Sequence, residues 1–250
     1  MTKEKPSRWS ELQQVKVILI GTTHPGNIGS VARAMKVMSQ SDLALISPKV
    51  FPSEIASAMA SGAENILQNI DVYNDVSEAL GDVSVVYGCT ARGRQISLPV
   101  LTPENAAQEV VNHRYKAALL FGRESSGLTN KELSYCQRIV EIPTNNDFRS
   151  LNLSHAVQIC LYELFKTHLL VEEKLPNNFL AKEEVANVIE VEKAKEHLIQ
   201  VMKKTKFLGD LESSITIERR INRLISKKIL LKSEIKIIRG FLKSIDNVLK

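Results

Sequence analysis

The stretch VKVILIG (residues 15–21), followed three residues later by PGNIGSVARAM (residues 25–35), predicts a buried β-strand that leads directly into an α-helix. The first part is a continuous apolar run, typical of a strand covered on both faces. In the second part Ile28, Val31 and Met35 recur at helical spacing. A strand that leads into a helix is the building unit of α/β proteins, so this stretch predicts the fold class.

The same alternation continues to about residue 171. Further apolar runs predict strands at residues 43–46, 83–87, 117–121 and 139–142. Helical stripes lie between and after them: Ile55, Met59, Gly62 and Ile66 in one, and Leu153, Ala156, Val157, Cys160, Leu161 and Leu164 in the strongest. Thr129 and Glu132 have the spacing of a capping box. We therefore expect a doubly wound α/β domain with a parallel sheet, whose ligand lies at the carboxyl ends of the strands.

A change of composition divides the chain. Residues 172–184 contain Pro176, two asparagines and many charges, which indicates a linker between an α/β domain (residues 1–171) and an all-α extension (residues 185–250). Helices are predicted at residues 184–203, 213–229 and 232–249, the last with Ile235, Ile238, Leu242 and Ile245 on one face.

The basic excess of the chain lies in this extension. The net charge is +5, yet residues 203–250 contain 13 Lys and Arg against 5 Asp and Glu. Arg219, Arg223 and Lys227 are four residues apart and predict a basic ridge opposite Ile217, Ile221 and Leu224. A polyanion partner explains this asymmetry, and a merely solvated basic helix is the alternative.

Several classes of protein are disfavoured by composition. The three cysteines form no C-x-x-C pair and have no histidine at metal-ligand spacing, so we expect reduced thiols and no metal. Residues 1–14 have no apolar core of a secretion signal, and the apolar runs fall short of the ~18 residues of a membrane span. These features predict a cytoplasmic protein that does not enter a membrane.

Polar stretches follow the predicted strands: GTTHPGNIGSVAR (21–33), GCTARGR (88–94) with FGRESSGLT (121–129), and IPTNNDFRSLNLS (142–154). The ends of parallel strands converge, so these stretches should build one crevice. None has the glycine pattern of a dinucleotide site or the Gly-Lys pair of a P-loop, which argues against a nicotinamide enzyme. Arg92 and Arg94 could contact phosphate or simply be solvated.

Three of these segments, PGNIGSVARAM, FGRESSGL and IPTNNDFRSLNLSHAVQICLYEL, together resemble the motifs of the SPOUT methyltransferases. Within that superfamily they are most similar to the TrmH-like 2′-O-ribose branch and its TrmJ-type tRNA (cytidine/uridine-2′-O)-methyltransferases. The resemblance covers about residues 15–170 and continues more loosely into the C-terminal helices. It implies a deep trefoil knot, an exception to the rule that chains do not thread loops, with S-adenosylmethionine bound inside it and a homodimeric assembly.

The resemblance also implies the site residues. The expected contacts to the methyl donor are Cys89, Thr90, Ala91, Gly122, Glu124, Ile142, Arg149, Ser150, Leu151 and Asn152. The expected catalytic residues are Arg33, Asn27 and Ser150. Arg149 departs from the small residue that relatives often have, which puts its contact in question. Glu124 could instead pair locally with its neighbours.

Two roles remain open for Arg33. It could remove the proton of a ribose 2′-OH, or it could clamp the 3′-phosphate while another group accepts the proton. A guanidinium stays protonated to about pH 12, which favours the clamp. Both accounts predict that Arg33 is essential, and the enzyme hypothesis needs Arg33 to face the cavity that the three motifs share. Asn27 could also be a simple helix N-cap, Ser150 could cap the helix at Leu153, and His24 is more typical of a structural turn residue than of a base.

The predicted function is S-adenosylmethionine-dependent 2′-O-methylation of cytidine or uridine at position 32 of the tRNA anticodon loop. Unpaired loop nucleotides suit an active site that must reach a ribose. The basic extension would bind the RNA backbone through Arg219, Arg220, Arg223, Lys227 and Lys228. The alternatives are methylation of ribosomal RNA, and a non-catalytic RNA-binding protein with the same fold.

Overall fold

A computed structural model describes residues 15–81, 83–91, 98–113, 115–172, 184–208, 211–226 and 229–249. The predictions for the N-terminal segment, Arg92, Arg94, Lys227, Lys228 and most of the linker fall outside the described residues. The strands are β1 (Lys16–Ile20), β2 (Leu43–Ile46), β3 (Asp71–Tyr73), β4 (Val85–Cys89), β5 (Val100–Leu101), β6 (Ala117–Phe121) and β7 (Arg138–Val140). The helices are α1 (Pro25–Val37), α2 (Glu54–Ala60), α3 (Glu64–Gln68), α4 (Val76–Leu80), α5 (Pro103–His113), α6 (Asn130–Leu133), α7 (Leu153–Glu172), α8 (Val188–Lys204), α9 (Leu211–Ser226) and α10 (Lys232–Val248).

The strands form one parallel sheet in the order β3-β2-β1-β6-β4-β7-β5. The predicted α/β class and parallel sheet are confirmed. Strands β1 and β6 lie at the centre, and Ile18 pairs with Leu120 in their register. Two strands, β3 and β5, were not predicted from the sequence, because each has no more than three residues and lies at a sheet edge.

Helices cover both faces of the sheet. Along β1, Val17 and Leu19 face one buried apolar cluster, and Ile18 and Ile20 face the other. All four side chains are almost completely removed from solvent. This explains why the strand is a continuous apolar run rather than an alternating one.

The contact between α1 and α2 depends on small residues. A Cβ atom at Gly29 would lie 2.0 Å from the carbonyl oxygen of Ala56, so only glycine permits this approach. Consequently Ala56 is buried, whereas Ile55 and Met59 are half exposed, and the predicted stripe through Ile55 and Met59 is wrong. The stripe is also interrupted after α2, where Ser61 and Gly62 both have positive φ and separate α2 from α3.

The C-terminal region is helical, as predicted. The amide of Val188 donates to the carbonyl of Val83 at 2.8 Å and joins the start of α8 to the α/β part. Ile235 and Leu242 of α10 are buried, as predicted. Within α9, Leu224 is 71% exposed, so the apolar face predicted opposite the basic ridge is not buried at this position.

Candidate active site

A cavity of about 270 Å³ lies at the carboxyl ends of β4, β6 and β7. Cys89, Thr90 and Ala91 line it from the end of β4, and the segment 121–127 lines it after β6. Ile142, Arg149, Ser150 and Leu151 complete the wall after β7. The stretches after β4, β6 and β7 therefore meet in one crevice, as expected, whereas no residue of the stretch 21–33 lines this cavity.

The chemistry of the cavity is mixed. Ile142, Leu151 and Val140 supply an apolar wall, and the charged groups Arg123, Glu124 and Arg149 lie at its rim. An apolar slot with a few convergent polar groups is the usual form of a small-molecule site. Such a slot fits a purine ring, and an ionised carboxylate at its rim fits a cationic sulfonium. The residues present therefore fit S-adenosylmethionine.

Glu124 connects the second motif, FGRESSGL, to the stretch that contains the first, PGNIGSVARAM. Its carboxylate accepts hydrogen bonds from the amide and hydroxyl of Thr23, at 3.1 and 2.9 Å, and from Nδ2 of Asn27 at 2.9 Å. Burial alone would raise the pKa of this carboxyl group, but the hydrogen bonds from Asn27 and Thr23 outweigh burial and lower it. Glu124 is therefore an ionised anchor at neutral pH. The sequence did not single out Thr23, although its place in the first bend was a usable signal.

Asn27, in the first motif, also bonds to the third motif, IPTNNDFRSLNLSHAVQICLYEL. While its Nδ2 donates to Glu124, its Oδ1 accepts a hydrogen bond of 3.1 Å from Nδ2 of Asn152. Asn152 in turn accepts from the amide and hydroxyl of Ser154, at 2.9 and 2.7 Å. Because the carboxylate can only accept, the orientations of both amide groups are fixed along this bridge. A single chain of side chains, Glu124–Asn27–Asn152–Ser154, thus connects all three motifs.

The helix caps differ from the alternatives considered for Asn27 and Ser150. His24 is the N-cap of α1, and its Nδ1 accepts from the amide of Gly26 at 3.1 Å. The structural role expected for His24 is therefore present, and Asn27 lies inside the helix. At α7 the capping side chain is that of Asn152 rather than Ser150. Ser150 is exposed and lines the cavity. Neither Asn27 nor Asn152 lines the cavity; hydrogen bonds connect both to Glu124, which does.

Arg33 lies elsewhere. It is exposed on α1 and lines a separate depression of about 190 Å³ with Ser154, His155 and Gln158 of α7. The expectation that Arg33 faces the main cavity is not met within this single chain. The physical reason is helical spacing, since Arg33 is six residues, or about 1.7 turns, beyond Asn27 and points to another side of α1. Ser154 belongs both to this depression and to the amide bridge.

The glycines of the second motif serve the protein's own packing. A Cβ atom at Gly122 would lie 2.1 Å from the carbonyl carbon of Gly127, so the close approach at Gly122 is made by this backbone and is not reserved for a ligand. Gly127 has φ +68°, a left-handed backbone conformation that glycine adopts without steric cost. The predicted capping box of Thr129 and Glu132 is confirmed, and Glu132 also binds Nη1 of Arg123 at 3.0 Å.

The cysteines near the site are poor nucleophiles. Burial and the neighbouring Cys160 thiol raise the pKa of Cys89, and burial raises the pKa of Cys136. All three cysteines are free thiols. No cluster of histidine, cysteine or carboxylate side chains able to hold a metal ion occurs among the described residues.

The predicted RNA-binding surface is described in part. Arg219, Arg220 and Arg223 are exposed on α9, and Arg219 and Arg223 follow one another at the predicted spacing. In the ranges that the structure describes, no helix has both the length and the apolar character needed to cross a bilayer.

Comparison with known proteins identifies the family. Residues 14–162 match the model of the SpoU rRNA Methylase family. The chain is 39% identical over 246 residues to the tRNA (cytidine/uridine/adenosine-2′-O-)-methyltransferase TrmJ of Pseudomonas aeruginosa, with 95% of each chain covered. The crystal structure of TrmJ from Z. mobilis superposes with a TM-score of 0.80 at 32% identity, covering 92% of this chain and 98% of the other.

A more distant structure, described as giving insights into the 2-OH methylation of C/U34 on tRNA, has a TM-score of 0.52 at 25% identity. It covers 63% of this chain and 97% of that one. The family match spans most of the α/β part, and the similarity to TrmJ extends through the C-terminal helices. The chain belongs to the SpoU rRNA Methylase family, within the SPOUT methyltransferases that its three motifs resemble.

Proposed function

We propose that this protein transfers a methyl group from S-adenosylmethionine to the ribose 2′-OH of a pyrimidine in the tRNA anticodon loop, at position 32. The observation that carries the proposal is the side-chain bridge Glu124–Asn27–Asn152, which ties the three motifs together beside an apolar cavity. The relatives that match over nearly the whole chain are named as tRNA 2′-O-methyltransferases.

The methyl donor would occupy the cavity. Ile142 and Leu151 would hold the adenine, and the strand-end backbone at Cys89, Thr90, Ala91 and Gly122 would orient it, with Arg149 and Ser150 at the rim. When bound, S-adenosylmethionine supplies an electrophilic methyl on a positively charged sulfur. The ionised carboxylate of Glu124 would face this charge from the rim of the cavity. Since that carboxylate already accepts several hydrogen bonds, it acts as an anchor and not as the base.

The ribose would lie across the amide bridge. Ser154 borders both the bridge and the depression of Arg33, so a nucleotide placed over Asn27 and Asn152 can face the cavity on one side and Arg33 on the other. In this position the guanidinium clamps the adjacent phosphate and orients the hydroxyl for in-line attack. The exposed Ser150 hydroxyl lines the cavity, where it can accept a hydrogen bond from the 2′-OH. As the 2′-oxygen bonds to the methyl carbon, the carbon–sulfur bond would break to leave a neutral thioether, and the 2′-OH proton would pass through the Ser150 hydroxyl to solvent.

The wider organisation is also proposed. The α/β part (residues 1–171) would contain the trefoil knot and work as a homodimer, and the helical extension (residues 185–250) would bind the RNA backbone beyond a linker at residues 172–184. The exposed arginines of α9 support this role for the extension. The free thiols suit the reducing cytoplasm, where tRNA is modified.

The experiment is transfer of labelled methyl groups from S-adenosylmethionine to unmodified tRNA, followed by mapping of 2′-O-methyl positions by mass spectrometry. We expect one methyl group at a pyrimidine of position 32. Methylation at position 34 would retain the chemistry and change the target nucleotide. No incorporation into any tRNA, with S-adenosylmethionine bound, would refute the proposal.

A second candidate is methylation of ribosomal RNA, because the matching family model is described by that substrate. The α/β site would serve either RNA equally well. Competition between tRNA and ribosomal RNA in one reaction separates the two, and preferential labelling of ribosomal RNA would replace the first candidate by the second.

A further inference from the structure

Phe148 is an aromatic side chain in an unusual place. It lies in the segment after β7, and 77% of its surface is exposed. This exposure leaves the faces of the ring accessible to a ligand.

The local backbone holds Phe148 outward. The side-chain Oδ1 of Asn145 accepts the amide of Asp147 at 3.0 Å, and the carbonyl of Asn145 accepts the amide of Phe148 at 3.2 Å. These hydrogen bonds form a tight turn centred on Asn146 and Asp147. Phe148 is thus presented by a defined turn.

Phe148 is flanked in the sequence by residues that line two concave surfaces. The next residues in the chain, Arg149, Ser150 and Leu151, line the cofactor cavity. On the other side is a groove of about 370 Å³, lined by Val100, Leu101, Thr102, Glu141, Pro143, Thr144, Asn146 and Arg149. Arg149 borders both surfaces, so a ligand in the groove would be next to the methyl donor.

We propose that Phe148 is a stacking platform for an unpaired nucleobase of the RNA substrate, and that the adjoining groove receives the rest of that nucleotide. This inference rests on the proposed function and adds a substrate-positioning residue to it. Aromatic side chains bind single-stranded RNA by stacking on the faces of bases. Arg149 follows Phe148 in the chain, borders the groove and donates from Nη2 to Oδ1 of Asn146 at 3.0 Å, and its guanidinium can bind the phosphate of the same nucleotide.

The surroundings of Phe148 favour a base over a protein surface. Its neighbours in the turn, Asn145, Asn146, Asp147 and Arg149, are polar and exposed. A protein-binding surface needs a contiguous apolar patch, whereas a nucleobase needs one ring with polar and cationic groups around it. The groove offers these groups through Glu141, Thr144 and Arg149.

The test combines variants of Phe148 with RNA lacking a single base. Anticodon stem-loops with an abasic nucleotide at each loop position in turn are titrated against the wild-type protein, Phe148→Ala, Phe148→Leu and Phe148→Trp. We expect Phe148→Ala to lower RNA affinity on the order of 5- to 100-fold, with a similar rise in KM and little change in kcat. Leucine keeps apolar bulk without a π-face and should behave like alanine, whereas tryptophan should retain affinity.

At one loop position, removal of the base should lower the RNA affinity of the wild-type protein as much as Phe148→Ala does. The same removal should not lower the affinity of Phe148→Ala any further, because ring and base act as a pair. Affinity for S-adenosylmethionine should stay unchanged in all variants, which verifies an intact loop. The inference would be overturned if Phe148→Ala bound RNA with unchanged affinity. It would also be overturned if, at every loop position, the loss of affinity from Phe148→Ala added to the loss from the missing base. Dissociation of a dimer by Phe148→Ala, measured by sedimentation, would instead assign the ring to a second copy of the chain. Absence of methylation by the wild-type protein refutes the function itself, and the binding measurements still decide the role of Phe148.

Discussion

The α/β part and helix α9 arrange their polar side chains in opposite ways. Around the cavity, the side chains of Glu124, Asn27 and Asn152 bind one another across 97 and 125 residues of sequence. On α9, Arg219, Arg220 and Arg223 are exposed to solvent. The first arrangement fixes atoms to within a hydrogen bond, and the second distributes charge over a surface.

This difference indicates that the α/β part positions the reacting groups, whereas α9 contributes affinity for RNA. A chemical step depends on geometry to a fraction of an ångström, so its groups need partners that fix them. Attraction to a polyanion depends on the number of charges and tolerates movement. Changes in the α/β part should therefore affect catalysis or folding, and changes in α9 should affect binding in a salt-dependent way.

The largest effect is expected for Arg33→Ala. Loss of the guanidinium removes the clamp on the substrate phosphate, so kcat/KM should fall on the order of 10³-fold. Affinity for S-adenosylmethionine should not change, because Arg33 does not line the cavity. Single-turnover kinetics with saturating donor measures this. Retained activity in Arg33→Ala would remove Arg33 from the catalytic residues.

Gly122→Ala should destabilise the fold by about 3 kcal/mol, since the new methyl group would overlap the backbone of Gly127. Gly240→Ala is the matched control, because a Cβ atom there meets nothing within 4 Å in α10. The control should be stabilised by up to about 1 kcal/mol. Urea unfolding compares the two, and equal stability of both variants would contradict the packing described here.

Asn27→Asp should lower kcat on the order of 10²-fold, because a second carboxylate would face Glu124 and break the bridge to Asn152. Asn27→Ser retains a small polar group without the charge and should lose less activity. Steady-state rates of both variants, with thermal unfolding as the check on folding, test the bridge. If the two variants were equally active, charge repulsion at Glu124 would play no part.

The combined variant Arg219→Ala/Arg220→Ala/Arg223→Ala should weaken RNA binding about tenfold at physiological salt and make its salt dependence shallower by about 2 to 3 in log–log slope. At saturating RNA the rate of methyl transfer should be unchanged. Filter binding across a salt series provides the measurement. An unchanged slope would show that α9 does not contact phosphates.

The smallest effect concerns pH. The pKa of Glu124 is lowered from 4.5, so its hydrogen bonds stabilise the fold above about pH 4.5 and are lost as pH falls through the lower folded value. Glu124→Gln should be less stable than the wild-type protein at pH 7, and the difference should shrink below pH 4.5. Urea unfolding at several pH values tests this sign. A constant difference down to pH 3 would mean that folding does not lower the pKa of Glu124.

The sequence predicts the framework of the molecule better than its contacts. Strands β1, β2, β4, β6 and β7 are apolar runs that can only be buried, and the convergence of their ends follows from the parallel sheet. The edge strands are too short to leave a periodic signal. The single helix predicted through Ile55 and Ile66 is divided at Ser61 and Gly62, which both have positive φ. The Ser-Gly pair is a local turn signal that the helical spacing of the apolar residues masked.

The site was predictable as a set of segments and not as a geometry. Motif order placed Glu124, Ser150 and Leu151 at one cavity. The bridge from Asn27 to Asn152 depends on side-chain orientations across distant segments, which no local pattern contains. The same limit applies to Arg33. Its motif predicts a role in catalysis, but its position on α1 places it in a neighbouring depression.

The central claim is that the cavity lined by the ends of β4, β6 and β7 holds the methyl donor. Isothermal titration of S-adenosylmethionine into the wild-type protein and into Ala156→Trp, which fills the cavity from α7, tests it most directly. The account predicts one site per chain in the wild-type protein and loss of binding in Ala156→Trp, with the fold of the variant intact by circular dichroism. Undiminished binding by a folded Ala156→Trp protein would place the donor elsewhere and contradict the account.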